Sequence, residues 1–299
     1  MANPLYGQNK FDNSIGGKGE LVKNGGIPRQ DTNGVAPVGG LIVAPHNSLV
    51  GAAASTKGHS DFSGADPYTS GTSQLFPLGS ELHLGEKSFR YAGISSAGAV
   101  TAGKLVQQQV SVGADHETMA PTANVAAGAT EISIETDGTN LSLNNYQDGY
   151  LYIEDGTGEG QQWKIKANPA HVHGTDASVI IQIYDSVATA LVASGDSKVT
   201  IIKNPFADAV IAPTAETGCI IGATVVDMAA SEFGWLQYRG PRAMLVSEAV
   251  VVLGHRVVRS DADAGGVMAA NSDPLLYPVG QVMAGTVADT AYAMIWLNI

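Results

Sequence analysis

Cysteine is almost absent: Cys219 is the only one in 299 residues. An internal disulfide framework and a thiolate zinc site are therefore excluded. Charge is also scarce, at 15% of the chain against roughly 25% in an average soluble protein. Positive charge is scarcer still, with 16 Lys and Arg against 28 Asp and Glu and a formal net charge of −12. A broadly acidic surface repels phosphate, so no nucleic-acid partner is expected. No apolar run reaches the ~18 residues of a membrane span, so no membrane partner is expected either. Residues 1–14 are polar and hold no signal-peptide core, which points to synthesis in a cytoplasm without standard export. Helical periodicity is missing throughout.

What the chain does have is turn formers and small residues. Gly (36) and Pro (13) total 49, more than the usual ~12% of a chain. Hydrophobic residues make up 44%, enough to bury a core. The expected class is all-β: a β-barrel or sandwich domain built from hairpin units, with a second small all-β inserted domain and an extended N-terminal arm.

Residues 1–72 form the expected arm. They hold 13 Gly, 5 Pro and 6 Asn and show no sustained apolar period, so they cannot bury enough surface alone to offset chain entropy. The first 30 residues carry Lys10, Lys18, Lys23 and Arg29 against Asp12 and Glu20, a net of +2, which leaves −14 for the remainder. Tyr6, Phe11, Ile15, Leu21, Val22 and Ile27 are spaced apolar anchors that would bind a partner surface.

Residues 73–120 and 212–299 read as one discontinuous β domain. A loosely alternating stretch at 75–84 ends in the turn Gly85-Glu86-Lys87, then Phe89-Arg90-Tyr91, a small-residue stretch and a strand at 104–112. The order recurs at 220–226, 233–239 and 254–258, and partly at 278–282 and 292–296. The aromatics that lead these strands read as core plugs. APTA at 120–123 recurs at 212–215 and brackets the insertion, 121–211. Five strands are expected inside it, at 130–135, 149–154, 161–167, 179–184 and 198–203. Residues 124–211 hold 11 acids and 4 bases, a net of −7.

Chemical motifs fail one by one. GAVTAGKL at 98–105 nearly matches a phosphate loop, but it lacks the final Ser or Thr and leads into a strand. GTGEG at 156–160, with Glu154, Asp155 and Glu159, reads as a hairpin turn rather than an ion site. His171 and His173 are the most ligand-like pair. On a strand, positions i and i+2 share a face and could grip one metal, with Asp176 supplying an oxygen. Asn168-Pro169 and Gly174 instead put the pair in an exposed loop. Cys219, in Gly218-Cys219-Ile220-Ile221, reads as a buried inert thiol. No GxSxG elbow occurs. No catalytic residue, metal or cofactor is expected, and the chain does not read as an enzyme. Tyr146, Tyr150, Tyr152 and Trp163 would be the aromatics of a glycan-binding surface on the insertion, if it has one.

LFPLG at 75–79, Phe89-Arg90-Tyr91, AGKLV at 102–106, GYLYIEDGTGEGQ at 149–161, KNPF at 203–206, GWLQ at 234–237 and VGQV at 279–282 make residues 75–299 resemble the capsid decoration, or cement, proteins of tailed bacteriophages. The resemblance implies a mostly β virion protein on the outer capsid surface, partnered by the major capsid protein and by itself as a homotrimer. Its work would be to tie neighbouring capsomers together against internal DNA pressure, with avidity making release slow and the arm adding a strand to a neighbour's sheet. The alternative is a tail, fibre or host-surface-binding component of the virion.

Overall fold

The computed structural model describes residues 65–299 apart from Val112, Ser194 and residues 248–251, 271–275 and 285–288. The chain divides into two compact units, Met1–Ala65 and Asp66–Ile299. The anchors Tyr6, Phe11, Ile15, Leu21, Val22 and Ile27 lie outside the described residues.

The second unit is all-β. Its strands are β1 (Ser70–Gly71), β2 (Glu81–Leu84), β3 (Lys87–Gly93), β4 (Leu105–Gln107), β5 (Glu131–Ile134), β6 (Tyr150–Asp155), β7 (Gln162–Ala167), β8 (Val179–Ile183), β9 (Lys198–Ile202), β10 (Val210–Ile211), β11 (Ile220–Thr224), β12 (Phe233–Leu245), β13 (Arg256–Arg259), β14 (Val267–Ala269), β15 (Gly280–Ala284) and β16 (Tyr292–Asn298).

Eleven of them form the main sheet, along the path β10-β4-β11-β12-β16-β15-β13-β14, with β1 and β3 also on β12 and β2 on β3. The thirteen-residue β12 is the spine: its first half pairs with β3 and β11, its second half with β16. Hairpins set the local order. Leu84 faces Lys87 across Gly85-Glu86, and only Gly85 of the two has positive φ. That is a type II′ turn, whose twist matches the strands it joins.

The sheet curls until its ends meet. Leu105 N donates to Gly265 O at 2.8 Å, and Gly265 N donates to Ala212 O at 2.8 Å, joining the β4–β10 end to the turn before β14. Inside the curl lie Leu105, Met244, Val246, Val257, Val267, Val282, Ile295 and Leu297, all buried. A second cluster, including Ile94, Val100, Val106, Met228 and Leu236, fills the β3–β4–β11 side. On the opposite face of β3 and β12, Phe76, Tyr91 and Trp235 pack together with ring centroids 5.1–5.4 Å apart; Tyr91 meets Phe76 and Trp235 edge to face, and Phe76 lies tilted against Trp235.

The second sheet has the order β5-β8-β7-β6-β9. All five strands expected between 130 and 203 form. Alternation is strict in β7, which reads QWKIKA with Trp163 and Ile165 buried and their neighbours not, whereas β9 buries Val199, Thr200 and Ile201 in a row. Period 2 puts Ile132, Ile134, Leu151, Ile153, Ile165, Ile181 and Ile201 on one buried face. The loops carrying Met119, Val125, Leu141 and Leu191 cover it.

Several expectations change. Residues 66–72, read as the end of the arm, belong to the body, because Ser70 and Gly71 already pair with β12. The second core reaches back to Met119, while Val210–Ile211 joins the main sheet. The strand expected over 75–84 is confined to Glu81–Leu84, and that over 104–112 to Leu105–Gln107. Strand β14 was not anticipated. The aromatics divide: Phe89, Tyr91 and Trp235 are core plugs, but Tyr292 and Trp296 face outward. Ala293, Ile295 and Leu297 take the inner positions of β16, and alternation then forces the aromatics out.

Candidate functional site

The histidine pair separates. His171 bridges to Leu141 and is 1% exposed, not on an exposed loop surface as its flanking residues suggested. Both of its ring nitrogens lack a hydrogen-bond partner. His173 is exposed, and its Nδ1 bonds to the carbonyl of Thr136. Asp176 Oδ2 sits 3.9 Å from His171 Nδ1 but accepts the Val172 amide at 2.8 Å. The chain turns after the bridge, so the two rings leave in different directions. Among the described residues no three His, Cys, Asp or Glu side chains assemble into a metal cluster.

Beside His171 the structure holds a polar pair that carried no sequence signal. His116 and Tyr146 are both buried. Tyr146 OH bonds to His116 Nδ1, and His116 Nε2 lies 3.2 Å from Thr139 O. A carbonyl only accepts, so Nε2 carries the proton and Nδ1 accepts from the phenol. Burial pushes the His116 pKa down, against the opposing pull of the Thr139 carbonyl and Asp115. Burial likewise pushes the Tyr146 phenol up. This is a neutral structural pair, closed to solvent.

The loop resembling a phosphate binder is a turn stitched to its neighbours. Ala102 N donates to Asp227 Oδ1 at 2.7 Å, and Gly103 N to Thr224 O at 3.0 Å. A carboxylate thus occupies the place an anion would need. Residues 156–160 form the β6–β7 hairpin turn; Gly156 has φ +80°, and a Cβ there would meet Asp196 O at 1.8 Å. Cys219 is exposed rather than buried; it lies just outside β11, where the partner strand β4 ends at Gln107.

Tyr146 and Trp163 are buried, so the four aromatics of the insertion do not make a binding surface. The exposed aromatic surface is elsewhere, on the outer face of the main sheet. Strand register builds it. Trp296 on β16 faces Pro241 on β12 and Gln281 on β15, and Gln281 faces Arg256 on β13. Directly paired residues share a face, so these four stand in one row across four strands. Asn298 follows two positions after Trp296 on the same face. Tyr277 arrives from the segment before β15. Arg256, Tyr277, Gln281, Trp296 and Asn298, with Pro278 and Gly280, line an open cleft of about 550 Å³. Trp296 is 37% exposed and Tyr277 67%. Tyr292, Met294 and Met283 extend the apolar surface along β16 and β15. Repeated motifs signalled these aromatics, but not which way they point.

No family model, curated protein or solved structure matches the chain.

Proposed function

We propose that this chain is a structural protein of a tailed-phage virion that binds the outer face of the capsid and ties neighbouring capsomers together. The observation that supports the reading most is the division of the chain at Ala65/Asp66. The body beyond it draws the members of its three apolar clusters from residues 92–299. The 65 residues before it carry spaced apolar anchors, and the first 30 have the opposite net charge to the rest. A body with its own apolar clusters, joined to a separate anchor-bearing segment, suits a protein that holds a seam between subunits, where several weak contacts add by avidity. The partners in this reading are the major capsid protein and two further copies of the chain in a homotrimer.

The test is co-sedimentation with expanded, undecorated capsids, followed by heat rupture of the shells. Saturable binding with a raised rupture temperature is the expected result. Failure to bind would overturn the reading. A second reading, a tail, fibre or host-contact component, is favoured by one observation: the exposed aromatic cleft around Trp296.

A further inference from the structure

The cleft on the outer face of the main sheet has a defined chemistry. Its floor is the one exposed tryptophan of the three in the chain; Trp163 and Trp235 are 6% and 2% exposed. Tyr277 stands beside it with its ring in solvent. Around these rings are one guanidinium and two carboxamides: Arg256, Gln281 and Asn298. Among the described residues none of these three side chains makes a hydrogen bond or an ion pair, so their donors and acceptors are free for a ligand. Among the described residues the lining contains no Asp or Glu, in a chain with 28 of them.

Register fixes the spacing. Arg256 lies two strands from Trp296, with Gln281 between them. Strands are about 4.8 Å apart, so the guanidinium and the indole are based about 10 Å apart, the scale of a disaccharide. Flat apolar rings ringed by planar polar groups suit a ligand that is apolar on its faces and polar on its rim. A pyranose is such a ligand: its ring C–H groups stack on an indole while its hydroxyls meet carboxamides. A guanidinium fork with no carboxylate among the described lining residues adds a preference for an acidic group, because Arg pairs bidentately with carboxylates.

We infer that this cleft binds a saccharide carrying a carboxylate, with a sugar ring on Trp296 and the carboxylate at Arg256. Gln281 and Asn298 hold the hydroxyls, and Tyr277 closes one side. The site does not depend on capsid attachment, and the purified chain is enough to test it.

The full chain is titrated with trigalacturonate and, separately, with maltotriose, and acrylamide quenching of tryptophan emission is recorded. Because two of the three tryptophans are buried, the quenchable emission reports Trp296. Trigalacturonate is expected to protect it, with maltotriose at least about tenfold weaker, one charge-assisted contact's worth. In calorimetry, Trp296→Ala is expected to abolish binding of the uronate. Arg256→Gln, an exposed change that leaves the fold alone, is expected to bring the uronate down to the affinity of maltotriose. Absence of protection by either sugar overturns the inference. So does unchanged uronate affinity in Trp296→Ala, or equal affinity for the two sugars. Shielding of Trp296 that grows with protein concentration alone also overturns it, and makes the face a contact between copies of this chain. Capsid co-sedimentation of the same variants stays a separate readout, so failure here is not failure of the capsid reading.

Discussion

His116 shows what a single buried side chain commits the protein to. Both ring nitrogens are used by neutral partners, and burial holds its pKa below the ordinary value of about 6.5. In the unfolded chain the imidazole protonates at that ordinary value. Below it the unfolded state binds more protons than the folded state, so stability falls as the pH drops from about 6.5 toward the folded pKa. The expected outcome is a lower urea midpoint at about pH 5 than at about pH 7. His116→Gln should flatten that difference, as paired urea titrations at the two pH values would show. An equal pH response in both proteins would place the proton uptake elsewhere.

At the scale of the element, the second sheet rests on one buried face. Ile165 sits on β7, in the middle of the order β5-β8-β7-β6-β9, and is fully buried. Truncation to alanine removes three carbons from a face shared with Leu151, Ile181 and Ile201. The expected cost of Ile165→Ala is about 2–5 kcal/mol, read as a fall in urea midpoint at unchanged slope. By contrast, Ile180 on β8 is 46% exposed. Ile180→Ala should stay within about 0.5 kcal/mol. The pair tests the register directly, because a one-residue slip of β7 would turn Ile165 outward and one of β8 would turn Ile180 inward.

At the scale of the whole molecule, the capsid reading proposed above assigns binding to the segment before Ala65/Asp66 and stability to the body after it. Deleting residues 1–30 should leave the melting temperature of the body within about 2 °C, since a change below ~0.5 kcal/mol shifts Tm by no more than that at this size. The same deletion should weaken retention on expanded capsids by about tenfold or more. Parallel melting and co-sedimentation of the truncated and full chains would check both halves. Retention at full strength would remove the arm from the capsid reading. Sedimentation at high protein concentration tests the trimer, for which a persistent monomer is the contrary result.

Much of the architecture is local in origin and was legible in the chain. Gly85-Glu86 and the glycines at 156–160 mark hairpins because positive φ is nearly free for glycine. The strict alternation in 162–167 and 179–183 assigns strands because one sheet face is wet and the other dry. The absence of a helical period sets the class. Other properties belong to contacts between residues distant in sequence. His171 and His173 part because the bridge to Leu141 takes one ring inward, and no spacing rule carries that information. Tyr146 turns inward to His116, thirty positions away, and so leaves the aromatic surface that its composition suggested. The cleft around Trp296 exists only because β12, β16, β15 and β13 are neighbours in one sheet. Three of those strands come from separate stretches of chain, and pairing register, a tertiary property, decides which of their side chains share a face. Local propensity therefore determined which segments are strands and turns; long-range pairing decided which faces are dry, which aromatics are exposed, and where the polar groups of the cleft converge.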